Sequence, residues 1–359
     1  MGEPVDVAVL SLGTTPGLVR TDQALADGLA ELGVSCALYP VTIGRAGRLR
    51  RHPAVTDLIE ALAARRSARA IDARAVVIST VTASFFYRPR VPYAVRFDAT
   101  VALSRPGLSG AWQRLAERPA LSGARLLLPL GDAAGQAAPA VAESVTLPVP
   151  MEERARSGGA PRRDIDAVTH ARFPRRRGLE LVCAAWASAG GEQGGRRLLI
   201  GGLSAEQGRA WLERAGVAEP GGVEWVGMLD RERWLDLVGR ARMLVSGARW
   251  EGHGLAHLEA LGLGTPLVTV PATGSYEALP LARSLAPELV ADEISAAALA
   301  RAIASGLALD DAALADYGRR ASELLRPYRA DVVRALLAER VLPALGIEVR
   351  SAPERSRVA

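Results

Sequence analysis

Residues 241–270 read ARMLVSGARWEGHGLAHLEALGLGTPLVTV. The first part, ARMLVSGA, is an apolar run of strand length, and TPLVTV is a second one. Between them Gly252 and Gly254 flank His253, and Leu255, Leu258 and Leu261 recur at helical spacing. A helix is therefore expected from near Gly254 with those leucines on its core face. Strand, glycine-rich turn, helix and strand in this order imply a parallel sheet. The start of such a helix leaves the N–H groups of Gly254 and Leu255 without intrahelical partners, and with the helix dipole they favour a phosphate. Glycine lets that phosphate approach the backbone closely. Glu259, further into the helix, can accept hydrogen bonds from ribose hydroxyls. Glu251, in the loop ahead of the helix, can face a sugar bonded to the same phosphate.

The same alternation extends in both directions. VDVAVL (5–10), VSCALYPV, AVVIST (75–80), YAVRFDA (93–99) and ARLLLPL (124–130) read as strands in the first half, with helical patterns between them. SLGTTPG reads as a turn, followed by a helix over TDQALADGLAELG that ends at Gly33. In the second half DAVTHA, RRLLIGG, VEWVG, ARMLVSGA and TPLVTV are the strands. MEERARSGGAPRRD (151–164) has no apolar period and reads as a linker, and SAPERSRVA reads as a frayed tail. Residues 312–342 are helical in pattern, with a break near Pro327. The expected fold class is α/β with two Rossmann-like doubly wound domains, residues 1–150 and 165–320.

Composition narrows the function classes. The chain has 359 residues, 49% of them apolar and 23% charged, which excludes a disordered or fibrous protein. No apolar run reaches membrane-spanning length, and the N-terminus lacks the basic region of a signal peptide. Two cysteines, Cys36 and Cys183, cannot build a disulfide framework and read as inert core thiols, so a cytoplasmic protein is expected. Lys and Asn are absent, and all 44 basic residues are Arg, as a GC-rich genome would produce. A site at which other proteins use Lys can hold only Arg here. The net charge of +5 suits anionic small molecules or an anionic membrane surface. No Arg run is interleaved with stacking aromatics, and aromatics make up 4%, which argues against nucleic acid as a partner. Arg45, Arg48, Arg50, Arg51, Arg65, Arg66 and Arg69 cluster around TDLIEALAA. This segment, 45–69, is open to two readings: a solvated helix face, or peripheral contact with a membrane or other anionic surface at the inner membrane face.

The spacing Glu251-x7-Glu259, followed by Ala-Leu-Gly-Leu-Gly-Thr-Pro, resembles the donor-site signature of retaining GT-B glycosyltransferases, most closely glycosyltransferase family 4. THARFPRRRGLELVCAAWAS, from Thr169, is similar to that family's Gly-Arg-x4-Lys-Gly segment, with Ala171 in place of the Gly and Arg177 in place of the Lys. LLIGGLSAEQGRAWLERAGV and VEWVGMLDRERWLDLVGRARMLVS also follow the family pattern. The resemblance covers most of the chain and is strongest over 165–310. It implies a nucleotide diphosphate sugar as donor, a hydroxyl of a small-molecule or lipid acceptor, retention at the anomeric carbon, and neither cofactor nor metal. The donor would bind mainly to the C-terminal domain and the acceptor to the N-terminal one, with a last helix, about 328–345, crossing back to the latter and the active site between the domains.

Residue by residue, the resemblance implies that Arg172 and Arg177 bind the diphosphate and that Glu251 acts at the sugar. It places Met228, His253, Gly254, Leu255 and Glu259 at the donor. Gly17 falls where the family has the second Gly of a Gly-Gly loop, with Pro16 replacing the first. His253 occupies a position that is usually aromatic, and both substrate contact and packing remain open for it; His257 reads as structural. The family's N-terminal-domain His falls on Phe97, with Asp98 beside it. For Asp98, a catalytic role and a capping role both remain open. Two other functions are compatible with these residues: a nucleotide-sugar epimerase and a non-catalytic nucleotide-sugar-binding protein.

Overall fold

The computed structural model describes residues 4–49, 52–151 and 163–349. Most of the linker, Arg50, Arg51 and the C-terminal tail read from the sequence lie outside the described residues. The chain divides into two compact units. One runs through Pro150 and takes the chain back from Pro327 onward; the other spans Met151–Arg326.

The first unit contains β1 (Val5–Ser11), β2 (Cys36–Pro40), β3 (Ala73–Ile78), β4 (Tyr93–Phe97) and β5 (Leu126–Pro129), all parallel, in the order β2-β1-β3-β4-β5. Successive residues of β1 serve opposite faces, as pleating requires. Val7 and Val9 enter one core with Leu25 and Leu29, while Ala8 and Leu10 enter the other with Ala61, Ala64 and Leu121. The returning chain completes the first of these cores through Val333, Leu337, Val341, Leu342, Leu345 and Ile347. Its helix Ala330–Leu336 widens into a π-turn at Leu337–Val341, just ahead of Pro343, which has no N–H to give to the preceding turn.

The second unit contains β6 (Ile165–His170), β7 (Leu198–Gly201), β8 (Val223–Gly227), β9 (Ala241–Ser246) and β10 (Leu267–Thr269), again all parallel, in the order β10-β9-β6-β7-β8. Both sheets therefore have a point where the winding reverses: between β1 and β3 in the first unit, and between β6 and β9 in the second. Ligands of such sheets bind outside the carboxyl ends of the strands at that point.

Two details differ from the sequence reading. The first helix begins at Pro16 rather than beyond the SLGTTPG turn, because Thr15 caps it by accepting from the Leu18 N–H (3.3 Å) and Pro16 fits the first helical position. Gly17 is thus inside a helical first turn. Cys36 is only partly buried, whereas Cys183 is fully enclosed; burial pushes both thiols up, to about 11 and about 12, so neither is a ready nucleophile.

Candidate functional site

The carboxyl ends of β6 and β9 hold most of the residues singled out from the sequence. After β6 the chain turns through Ala171 and Arg172 into the short helix Pro174–Arg177. After β9 it passes through Trp250, Glu251 and His253 into the helix Leu255–Gly262. The two loops meet in an ion pair between Arg177 Nη1 and Glu251 Oε2. Glu251 is 5% exposed and His253 6%. Arg177 Nε is buried without a hydrogen-bond partner among the described residues. Above the neighbouring Trp250, the Arg176 guanidinium lies 4.8 Å from the ring centroid.

Glycines allow this close packing. Gly254 caps the helix in the left-handed region (φ +74°), and a Cβ there would lie 3.1 Å from the Tyr276 ring. Gly274 (φ +109°) lets the next loop run so near Glu251 that a Cβ would lie 2.1 Å from the Glu251 carbonyl oxygen. Glu251 is also held by its N–H, which donates to the Thr273 carbonyl (2.9 Å). Because Gly254 offers no side chain as a cap, the first N–H groups of the helix have neither a side-chain cap nor an intrahelical acceptor. Leu258 and Leu261 are buried as the helical spacing predicts, and Leu255 is half-buried at the helix start.

Glu259, one turn on, is 8% exposed and accepts from Arg231 Nη2 (3.1 Å) and Nε (3.3 Å). Arg231 begins the helix Arg231–Arg240, which Asp230 caps. Met228, just after β8, is 61% exposed. Arg172 is exposed over Phe173, its guanidinium 5.7 Å from the ring centroid. Gly202, at the end of β7, abuts its backbone: a Cβ there would lie 2.6 Å from the Arg172 nitrogen. Asp98 and Gly17 belong to the other unit. Asp98 is half-buried directly after β4, and Gly17 is exposed in the first helical turn.

The structure adds residues that sequence reasoning left aside. His170 ends β6 and His257 lies in the first turn of the helix after β9; with Thr169, Arg177, Ser246 and Trp234 they line a small cavity. Burial drives His170 down to about 4, helped by the positive charges of Arg177 and Arg172 and opposed by Glu251. Burial does the same to His257, also to about 4, again with Glu251 opposing. His257 Nδ1 is buried without a hydrogen-bond partner among the described residues, and its ring packs 5.2 Å from Tyr276. Tyr276 in turn bonds Thr269 through the two hydroxyls (3.0 Å). His257 is thus a member of the cavity wall beside Arg177. A histidine two positions before Arg172 and another six beyond Glu251 were the available signal, and it is weak in a single sequence. Among the described residues, no group of three His, Cys, Asp or Glu side chains is placed to hold a metal ion.

Comparison with known proteins bears on this geometry. The family model described as "Glycosyl transferases group 1" matches residues 151–323, the unit that carries these loops. By sequence, no curated protein matches the chain. By structure, it is similar to sucrose-phosphate synthase from Thermosynechococcus elongatus: TM-score 0.70, 16% identity, 94% of this chain and 97% of that one covered. The chain has the GT-B fold. A second GT-B neighbour is HepE of Anabaena, solved in complex with UDP and glucose, with TM-score 0.64, 15% identity, and coverage of 94% of this chain and 100% of that one. The family match covers the second unit, and the structural likeness extends over both units as a likeness of fold.

Proposed function

We propose that the protein is a retaining glycosyltransferase of the family 4 type that moves a sugar from a nucleotide diphosphate sugar to a hydroxyl of a small-molecule or lipid acceptor. One observation carries the reading. At the winding reversal of the second sheet, the partly buried Arg177–Glu251 pair stands beside the uncapped N-terminus of the helix Leu255–Gly262, inside the segment that matches the glycosyl transferase model.

In this reading the diphosphate lies on the N–H groups of Gly254 and Leu255, with Arg172 and Arg177 supplying positive charge. Arg177 joins the two halves of the donor. Its Nη1 holds Glu251 at the sugar, and its Nε–H, which has no partner among the described residues, is left for a phosphate oxygen. Glu259, oriented by Arg231, receives the ribose hydroxyls. As the glycosidic bond breaks, negative charge grows on the leaving diphosphate, where the arginines and the helix N-terminus stabilise it. The departing phosphate oxygen then takes the proton of the acceptor hydroxyl on the same face of the sugar, which retains the configuration. His170 and His257, both neutral near pH 7, leave the positive charge to the arginines. The first unit provides the acceptor site, and Asp98, at the carboxyl end of its sheet, acts on the acceptor or a sugar hydroxyl.

The test is a thermal-shift panel of UDP, GDP, ADP and dTDP, with UDP the first candidate because HepE was solved with it. A ligand at about 100 times its Kd stabilises by about 2.7 kcal/mol. Turnover with the matching sugar nucleotides and NMR of the product's anomeric centre follow. No shift with any nucleotide overturns donor binding, and an inverted product overturns retention.

A further inference from the structure

The helix Pro53–Ser67 of the first unit is turned inside out. Its two acids face inward: Asp57 is 4% exposed and Glu60 6%. Asp57 is used there, accepting from Arg105 Nε (3.1 Å) and Nη2 (3.2 Å) and from Gln113 Nε2 (3.3 Å). Three of its four large apolar residues are exposed, and the fourth, Ile59, is half-buried. Val55, Leu58 and Leu62 are 43%, 41% and 43% exposed, at a spacing that puts them on one stripe. The inner face needs no large side chain, because Ala61, Ala64 and Ala68 fill the core against the sheet. A water-facing helix normally presents its charged residues and hides its leucines, so this arrangement is costly unless the stripe is covered.

Arginines border the stripe. Arg65 and Arg66 continue it at the end of the helix, Arg69 follows in the next turn, and Arg45 and Arg48 lie in the single 3-10 stretch Gly44–Leu49 ahead of it, all exposed. With Asp57 and Glu60 turned inward, the helix offers no carboxylate on this face; the next exposed acid along the chain is Asp72. An apolar stripe rimmed by arginine and cleared of acid complements one kind of surface: apolar beneath, anionic at the level of the guanidinium groups. A second copy of the chain would bring the same arginines against these and be repelled.

We propose that the outer face of the helix Pro53–Ser67 is a docking surface for an anionic lipid bilayer, with Val55, Leu58 and Leu62 entering the acyl boundary and Arg65, Arg66 and Arg69 pairing with headgroup phosphates. This surface belongs to the first unit, and the proposal does not rest on the proposed reaction.

The experiment is vesicle flotation of the full-length chain, with no nucleotide or acceptor present. The chain floats with phosphatidylglycerol–phosphatidylcholine vesicles and stays down with phosphatidylcholine alone, and salt releases it. The charge reversal Arg65→Glu/Arg66→Glu lowers partitioning by about thirtyfold or more, as two arginines near an anionic surface predict. Leu58→Glu/Leu62→Glu abolishes flotation with the melting temperature unchanged, because both side chains are solvent-facing. Should that variant fail to fold, Leu58→Ser/Leu62→Ser makes the same test. Equal flotation with both vesicle types, or wild-type flotation by the folded leucine variant, overturns the proposal. So does light scattering that shows a dimer which the leucine substitutions split, since the stripe would then be a self-interface.

Discussion

The two units share one architecture, five parallel strands with a winding reversal, yet they bury charge for different ends. In the second unit Glu251, His253, His257 and Glu259 are all under 9% exposed and all lie within nine residues at the carboxyl edge of the sheet. In the first unit the most deeply buried charges are Arg96, inside β4, and Asp22, on the first helix, at 2% and 1% exposure. Arg96 Nη1 donates to the Thr21 carbonyl (2.9 Å) and lies 3.5 Å from Asp22 Oδ1, while Ser11 donates to Asp22 Oδ2 (2.6 Å). That network ties β1, β4 and a helix together. The other lines an edge where a ligand can reach it. The difference teaches that a buried ion pair marks a candidate site when it stands at a strand end beside unsatisfied donors, and marks a fastening when its partners belong to three separate elements of the core.

The comparison breaks most visibly at Arg96. Arg96→Met leaves Asp22 buried without its cation, when burial already pushes that carboxyl up. A loss of about 3–5 kcal/mol is expected from stripping one partner of a buried pair. Asp22→Asn/Arg96→Met recovers much of it, since no isolated charge remains. Denaturant unfolding of the three proteins measures this. Equal stability of the two variants would contradict the fastening role.

Arg177 is the counterpart in the second unit, and its loss is read in turnover. Arg177→Ala is expected to lower kcat/KM by the equivalent of about 2–4 kcal/mol, as for a preorganised donor at developing charge. Arg177→Lys keeps activity because it keeps a cation beside Glu251, although it gives up the forked geometry. If Arg177→Ala turned over like wild type while Arg96→Met lost activity beyond its unfolded fraction, the assignment of the two pairs would be reversed.

This contrast also explains what the sequence could tell. All ten strands were legible as apolar runs between turn residues, because buried parallel strands leave that trace in a linear text. The Glu251–Glu259 stretch was legible because its chemistry is compressed into a single loop and helix. Arg231 was not, since its tie to Glu259 spans 28 positions and nothing local marks it. The Asp22–Arg96 network was invisible for the same reason, with 75 positions between Thr21 and Arg96. Orientation was the other blind spot: apolar and acidic residues in TDLIEALAA are read by habit as core and solvent, and only the sheet beneath shows Asp57 inside and Leu58 outside.

A third measurement uses pH to probe the cavity in the second unit. His257 stays neutral in the folded protein down to about 4, whereas in the unfolded chain it takes a proton near 6.5. Between those values the unfolded state binds more protons, so stability is full above about pH 6.5 and falls as the pH drops toward 4. The span caps the contribution of this residue at about 3 kcal/mol, at roughly 1.4 kcal/mol per unit. His257→Gln fills similar space and cannot titrate, so its stability should fall less steeply over that window. Parallel slopes for wild type and variant, from unfolding curves at several pH values, would place His257 in a wetter setting than its 5% exposure describes.

The smallest expected effect is also the sharpest comparison between the units, because it sets one glycine against another. Gly254 is explained by its own backbone: at φ +74°, with the Tyr276 ring 3.1 Å from a built Cβ, any side chain is strained. Gly254→Ala should cost about 1–2 kcal/mol in stability for the left-handed conformation alone. Gly17 has no such reason. Its φ is not positive, and the nearest atom to a built Cβ, Thr15 Oγ1, is 3.9 Å away. In the first turn of a helix, Gly17→Ala should leave stability unchanged or raise it by about 0.4–1 kcal/mol by removing freedom from the unfolded chain. What remains to require a glycine there is an approaching ligand. A stable Gly17→Ala protein with a raised KM for donor or acceptor would place substrate against that turn. A stable protein with unaltered kinetics would remove Gly17 from the site and leave the first helix of the unit as scaffold.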